Sequence, residues 1–142
     1  MLVAEILKTK GGEVFSIAPD VTLAAACGYL DGRRVGALMV CDGDRVVGVI
    51  SERDVVRAIA ADGAAGLPRP VSHYMTRDVI FAEPGETVAI LMSRMTDRRI
   101  RHLPVMKEDR LVGVISIGDV VKCQIADANR EAESLRTYIA AG

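Results

Sequence analysis

The segment GVISERDVV at 48–56 returns 65 residues further on as GVISIGDVV at 113–121. Residues 19–56 slide onto 84–121 without a gap. Pro19 meets Pro84, Thr22 meets Thr87, Arg33-Arg34 meets Arg98-Arg99, Leu38 meets Leu103, Val40 meets Val105 and Asp44-Arg45 meets Asp109-Arg110. Apolar character is kept where identity fails, as at Leu30/Met95, Val35/Ile100 and Val46/Leu111. A fixed repeat constrains the fold more than any local propensity. Two copies are too few for a solenoid, which needs about three or more. They suit a pseudo-twofold pair in which each copy covers a face of the other.

Each copy reads β-α-β-β-α, so the fold class is α/β, with two such motifs packed as one module. A short extended piece opens each unit (Val14–Ile17 and Val79–Phe81), and a Pro-containing turn leads into a helix. In copy two that helix carries Val88, Leu91, Met92 and Met95 on one face. Two strands follow around a tight polar turn, ALMV–CDGD–RVVGVIS and HLPV–MKED–RLVGVIS, with Asp42-Gly43 as a hairpin signal. A second helix starts after Ser51 and after Ser116. The latter extends toward Tyr138 with an apolar stripe of Val120, Val121, Ile125, Ala128, Ala132, Leu135 and Ile139. The Gly- and Pro-rich stretch 63–70 links motif 1, with an N-terminal amphipathic helix (1–62), to motif 2 (71–142).

Composition excludes several function classes. With 142 residues, half of them hydrophobic, the chain can bury a core without disulfides. Eighteen basic residues against 19 acidic leave no bulk attraction to nucleic acid or an anionic membrane, and five Phe and Tyr with no Trp make a poor base-stacking platform. Cys27, Cys41 and Cys123 lack zinc or redox spacing and fall in apolar patterns, which reads as buried reduced thiols in a cytoplasmic protein. No run reaches the ~18–20 apolar residues of a membrane span. No GxSxG, P-loop or GxGxxG element is present, no metal spacing is seen, and no nucleophile–base pair stands out, so an enzyme is not expected. Met92, Met95 and Met106 read as core filling, and His73 as structural.

Ser51-Glu52-Arg53-Asp54 and Ser116-Ile117-Gly118-Asp119 can each be a helix capping box. Capping alone accounts for Ser and an acid at this spacing. It does not account for the recurrence or for the repeated choice of Asp over Glu. Gly48 and Gly113 on the incoming strands could admit close ligand approach, and a helix N-terminus offers N–H groups to phosphate.

The repeated unit resembles the cystathionine-β-synthase (CBS) domain, and two copies in tandem resemble a CBS pair or Bateman module. "SERD", "RHLPV", "SIGDVVK" and "LRTYI" are similar to stand-alone bacterial members, and similar ones occur in plant organelles. The resemblance implies a regulatory module that binds an adenosine-containing ligand between its copies and reports it to a partner protein. AMP, ADP, ATP and NAD(H) are the implied ligands, with S-adenosylmethionine less favoured. By analogy, a homodimer joined through apolar helix faces is implied. Asp54 and Asp119 would accept from ribose hydroxyls, Ser51 and Ser116 would contact ribose or phosphate, and Ile50 and Ile115 would flank adenine. Sites in such pairs are shared between copies. Val14, Phe15 and Ser16 would complete the Ser116/Asp119 site, and Asp78, Val79 and Ile80 the Ser51/Asp54 site.

The two sites are unequal. Copy two carries Arg101-His102 where copy one carries Gly36-Ala37. Arg101 either grips phosphate or is a solvated turn residue; His102 either faces the ligand or packs beside the strand. Arg53 either reaches a phosphate in site one or faces solvent. A phosphorylated ligand is therefore expected foremost at Ser116/Asp119. The competing reading is a structural dimerisation module without a physiological ligand. The Arg pairs at 33–34 and 98–99 sit at helix C-termini, where cations favour the dipole.

Overall fold

A computed structural model describes residues 1–141. Copy one comprises β1 (Ser16–Ile17), α2 (Leu23–Arg33), β2 (Ala37–Asp42), β3 (Arg45–Ser51) and α3 (Glu52–Asp62), preceded by α1 (Val3–Lys10). Copy two comprises α4 (Val88–Arg98), β4 (His102–Lys107), β5 (Arg110–Ser116) and α5 (Ile117–Ala141). Short 3-10 turns at Gly63–Gly66 and Val71–His73 fill the connection. No described helix is long and apolar enough to cross a membrane.

The repeat is reproduced in backbone detail. Thr22 and Thr87 cap α2 and α4 by accepting from Ala25 and Ile90 N–H at 3.2 and 3.3 Å. Arg34 and Arg99 end these helices in the left-handed region, both at φ 53°. β2–β3 and β4–β5 are antiparallel hairpins of matching register: Leu38 lies opposite Ile50, and Leu103 opposite Ile115. Each hairpin slips register at the same place, between Val40 and Cys41 and between Val105 and Met106.

The opening strands differ. β1 pairs in parallel with β2 through Ser16–Met39 and Ile17–Val40. Its expected counterpart at Val79–Phe81 is not a strand; only Ala82 bridges Val105. Ala82 N–H donates to the Pro104 carbonyl and Met106 N–H to Ala82, both at 2.9 Å. The next ladder bond would need an N–H on residue 104. Met39 has one; Pro104 does not, so the ladder stops after one rung.

The lead-in segments are exchanged. Copy one's core holds Leu23, Ala26, Leu30, Leu38, Val40, Ile50 and Ala58, closed by Val71 and Met75 from the connection. Copy two's core holds Val88, Leu91, Met95, Leu103, Val105, Ile115, Val120 and Cys123, closed by Val3 and Ile6 of α1. The N-terminal helix, first in the chain, thus packs on the second copy. Matching bonds dock the two segments. Val3 and Ala4 N–H donate to Glu86 and Pro84 (3.0 Å each), and Val71 and Ser72 N–H to Val21 and Pro19 (2.7 and 3.1 Å). Val3 is therefore the counterpart of Val71, and from these to Ile17 and Ala82 copy one has three residues more.

Several side-chain expectations change. Cys123 is buried, but Cys27 and Cys41 are only half-buried. Met95 is buried and Met106 half-buried, whereas Met92 lies on the exposed side of α4. In α5 only Val120 and Cys123 are buried; the rest of the expected stripe faces outward.

Candidate functional site

Both Ser/Asp turns form closed capping boxes. Ser51 N–H and Oγ donate to Asp54 Oδ2 at 2.9 and 3.0 Å, and Asp54 N–H donates to Ser51 Oγ at 3.2 Å. At the second turn, Ser116 N–H and Oγ reach Asp119 Oδ2 at 2.8 and 2.9 Å, and Asp119 N–H returns to Ser116 Oγ at 3.2 Å. Glu52 and Ile117 N–H donate to the Gly36 and Arg101 carbonyls at 3.0 and 2.8 Å. Two first-turn amides of each helix are thus already used within the protein, which narrows the expected phosphate cradle to the amides of Arg53 and Gly118.

The lead-in of each copy lies along the other copy's hairpin, but the residues that touch the turn come earlier than expected. Thr76 pairs with Val49 through two backbone bonds (3.0 and 2.9 Å), and its Oγ1 donates to Asp54 Oδ1 at 3.1 Å. Lys10 Nζ donates to the Val114 carbonyl at 2.8 Å and to Asp119 Oδ2 at 2.7 Å. Sequence comparison missed Lys10 and Thr76 because the gapless match begins at residue 19 and the register shifts by three residues upstream of it. The only advance signal is their position just before the extended pieces.

The strand glycines serve this packing. A Cβ on Gly48 would lie 2.6 Å from Met75 Sδ and 2.9 Å from the Thr76 carbonyl; one on Gly113 would overlap Leu7. The expected space for a ligand is filled by the exchanged lead-in.

The other expected residues sort as follows. Ile50 and Ile115 are fully buried in the two cores, so neither side chain presents a surface for adenine in this conformation. Val14, Phe15 and Ser16 line a depression of about 430 Å³ with Tyr29 and Arg33 of copy one's own α2. The Arg33 guanidinium sits 3.9 Å over the Phe15 ring. Asp78 is exposed, Val79 is half-buried, and Ile80 packs against copy two's core. Arg53 reaches across the pseudo-twofold, with Nη1 3.5 Å from the Arg99 carbonyl at the end of α4. Arg101 is exposed. His102 is half-buried, with its ring packed on Gly36 so closely that a Cβ there would lie 3.1 Å from Cε1. The missing side chain at 36 is what admits the imidazole between the copies.

The electrostatics of the two turns differ. Asp54 is 6% exposed, and both of its oxygens accept from protein donors. Asp119 is more open, and among the described residues its bonds fall on Oδ2, leaving Oδ1 available as an acceptor. Burial pushes the Asp119 carboxyl up, but the Lys10 ammonium and the Ser116 N–H and hydroxyl together hold it below its ordinary value. Burial first, then the Lys10 charge, pushes the His102 imidazole down, against the pull of Glu52 and Asp119. Among the described residues there is no His, Cys, Asp and Glu cluster able to hold a metal.

The CBS domain model matches this chain over residues 3–61 and 71–126, one match for each copy of the repeat with its lead-in. The chain belongs to the CBS domain family. A crystal structure of a CBS-domain containing protein from Agrobacterium tumefaciens is 42% identical, with TM-score 0.86, covering 87% of this chain and 99% of that one. The mitochondrial CBS domain-containing protein CBSX3 of Arabidopsis thaliana is 33% identical over 99% of this chain and 72% of its own length. A CBS domain protein from Pyrobaculum aerophilum, solved in complex with AMP, is 28% identical with TM-score 0.75, covering 84% of this chain and 89% of that one. The CBS pair therefore accounts for the doubled turn, and its tandem architecture is the one seen in these neighbours.

Proposed function

We propose that this CBS pair is a regulatory module that binds a phosphorylated adenosine compound at the Ser116/Asp119 turn and reports its occupancy to a partner protein. The observation that carries this reading is the unequal charge around the two turns. Lys10 bonds Asp119 and acts on His102 beside Arg101, whereas at the first turn the donor to Asp54 Oδ1 is the uncharged Thr76 hydroxyl, Gly36 and Ala37 stand at the positions of Arg101 and His102, and the local cations Arg53 and Arg57 lie against the Arg99 carbonyl and, at 3.9 Å, Asp54 Oδ1. A free carboxylate oxygen with an ammonium bonded to its neighbour, and with Arg101 and His102 at the start of the adjoining strand, suits a ligand with a ribose diol on one side and an anionic group on the other. Asp119 Oδ1 would accept from the ribose, Ser116 would contact ribose or phosphate, and Arg101 and Lys10 would meet the phosphate. The Val14–Ser16 segment would close the adenine side.

AMP, ADP, ATP and NAD(H) satisfy that description; S-adenosylmethionine, a cation without phosphate, fits it less well. The Ser51/Asp54 turn is the lesser site, because binding there must displace the Thr76 hydroxyl from a buried carboxylate. A structural dimerisation module is the competing reading. The closed capping boxes at both turns favour it.

Thermal-shift and calorimetric titration with AMP, ADP, ATP, NADH and S-adenosylmethionine tests the proposal. Ligand at a hundred times its Kd stabilises the fold by about 2.7 kcal/mol. A phosphorylated ligand should do so in wild type and in Asp54→Ala, and fail in Asp119→Ala. No shift with any ligand, or loss only in Asp54→Ala, would reject it.

A further inference from the structure

We infer that the outer part of α5 is half of a parallel, two-stranded coiled coil formed with a second copy of this chain. This proposal does not depend on the ligand reading. Every residue from 128 to 141 is exposed, so about four turns of helix bury no side chain against the rest of the protein. An unsupported helix of this length is marginal in water, and most helical stability comes from burying an apolar face. Such a face is present. Val121, Ile125, Ala128, Ala132, Leu135 and Ile139 alternate spacings of four and three, the heptad spacing of a coiled-coil seam. Ile125, Leu135 and Ile139 are 56, 58 and 73% exposed. Val120 and Cys123, which bind the helix to its own module, lie on a different face, so seam and module contacts do not compete.

The flanking charges select the occupant and its direction. With Ile125, Ala132 and Ile139 at the a positions, Glu131 falls at g and Arg136 at the following e. In a parallel in-register pair, g of one helix faces the next e of its partner, so Glu131 meets Arg136 twice by symmetry. Gln124 meets Asn129 in the same way. The antiparallel register that keeps all six layers brings Glu131 against Glu131 and Lys122 against Arg136, repulsive contacts on both flanks. Self-complementarity of this kind is what a twofold interface requires. Ala128 and Ala132 at mid-seam let the helices approach closely.

Cysteine cross-linking of the full chain tests this in a Cys27→Ser, Cys41→Ser background. In the proposed pair, residue 135 meets its own counterpart, whereas residue 137 lies on the outer face. Leu135→Cys should give a covalent dimer on mild oxidation, and Thr137→Cys should not. Adding Arg136→Glu to Leu135→Cys should slow cross-linking by about an order of magnitude, and adding Glu131→Arg as well should restore it. These positions are exposed, and circular dichroism checks that each variant keeps its helix. No cross-link at 135, equal cross-linking at 137, or cross-linking that is unchanged or faster in Arg136→Glu would overturn the proposal.

Discussion

Gly48→Ala separates two uses of a strand glycine, room for ligand and room for protein. The added methyl would sit 2.6 Å from Met75 Sδ, 2.9 Å from Met75 Cγ and 2.9 Å from the Thr76 carbonyl oxygen. Carbon contacts relax at about 3.5–4.0 Å, so both neighbours must move by half an ångström or more. Met75 is 8% exposed within copy one's core, and the Thr76 carbonyl is held by Val49 N–H at 3.0 Å. Overpacking of this kind costs about 1–3 kcal/mol, and a fixed backbone oxygen places this site near the top of the range. Replacing a glycine in a strand returns about 0.5–1 kcal/mol, which leaves a net loss of about 2 kcal/mol. At about 2.1 cal/mol/K per residue, that lowers the Tm of a chain this size by about 6–7 °C. At Gly113 the obstruction is the end of the Leu7 side chain, which can turn away, so Gly113→Ala should lose less than about 1 kcal/mol. Urea and thermal unfolding of both variants, without ligand and at one protein concentration, measures this. Met75→Ala in the same chain should rescue Gly48→Ala only in part, because the Thr76 carbonyl remains. Unchanged stability of Gly48→Ala would refute the packing argument; a loss confined to nucleotide binding would return the glycine to the ligand.

Other outcomes follow from the same geometry. The folded Asp119 carboxyl lies below its ordinary value, so its contribution is present above the unfolded pKa and is lost as pH falls through the folded one. Lys10→Met should therefore raise the pH of acid unfolding, read by circular dichroism; an unmoved midpoint would show the ion pair to be inert. His102 is also depressed, so its folded form favours the neutral ring, and stability should fall as pH drops below about 6.5 toward the folded pKa. His102→Gln should flatten that slope, and an NMR titration of the ring at or above its ordinary value would contradict the burial argument. Thr76→Val should cost about 1–3 kcal/mol in urea unfolding by removing the hydrogen-bond donor to buried Asp54 Oδ1, and a neutral result would mean that water or the Arg57 guanidinium, 3.9 Å away, replaces the hydroxyl. Pro104→Met should restore the N–H that copy one has at Met39 and extend the pre-strand by one rung; hydrogen exchange should then show a protected amide at 104, and free exchange there would refute the account of the shortened ladder.

Much of the fold is legible in the sequence because the repeat carries it. The 65-residue offset, the Ser/Asp turns and the alternating apolar strands recur with one register, and local rules of capping and hairpin pairing place them. The long final helix is legible for the same reason, since its apolar spacing continues past the end of the repeat. The site was less so. Lys10 and Thr76 carry no motif, and they reach Asp119 and Asp54 across 109 and 22 residues of sequence. Gly48 and Gly113 invite a ligand when read in one dimension and hold Met75 and Leu7 in three.

That this chain is two like units, each ending in a Ser/Asp-capped helix, follows from residue order alone, because repetition and local hydrogen bonding are properties of neighbours along the chain. Which lead-in covers which unit emerges from folding. That exchange places an ammonium at one turn and a hydroxyl at the other, because contacts between distant segments depend on which apolar faces find each other when the cores close.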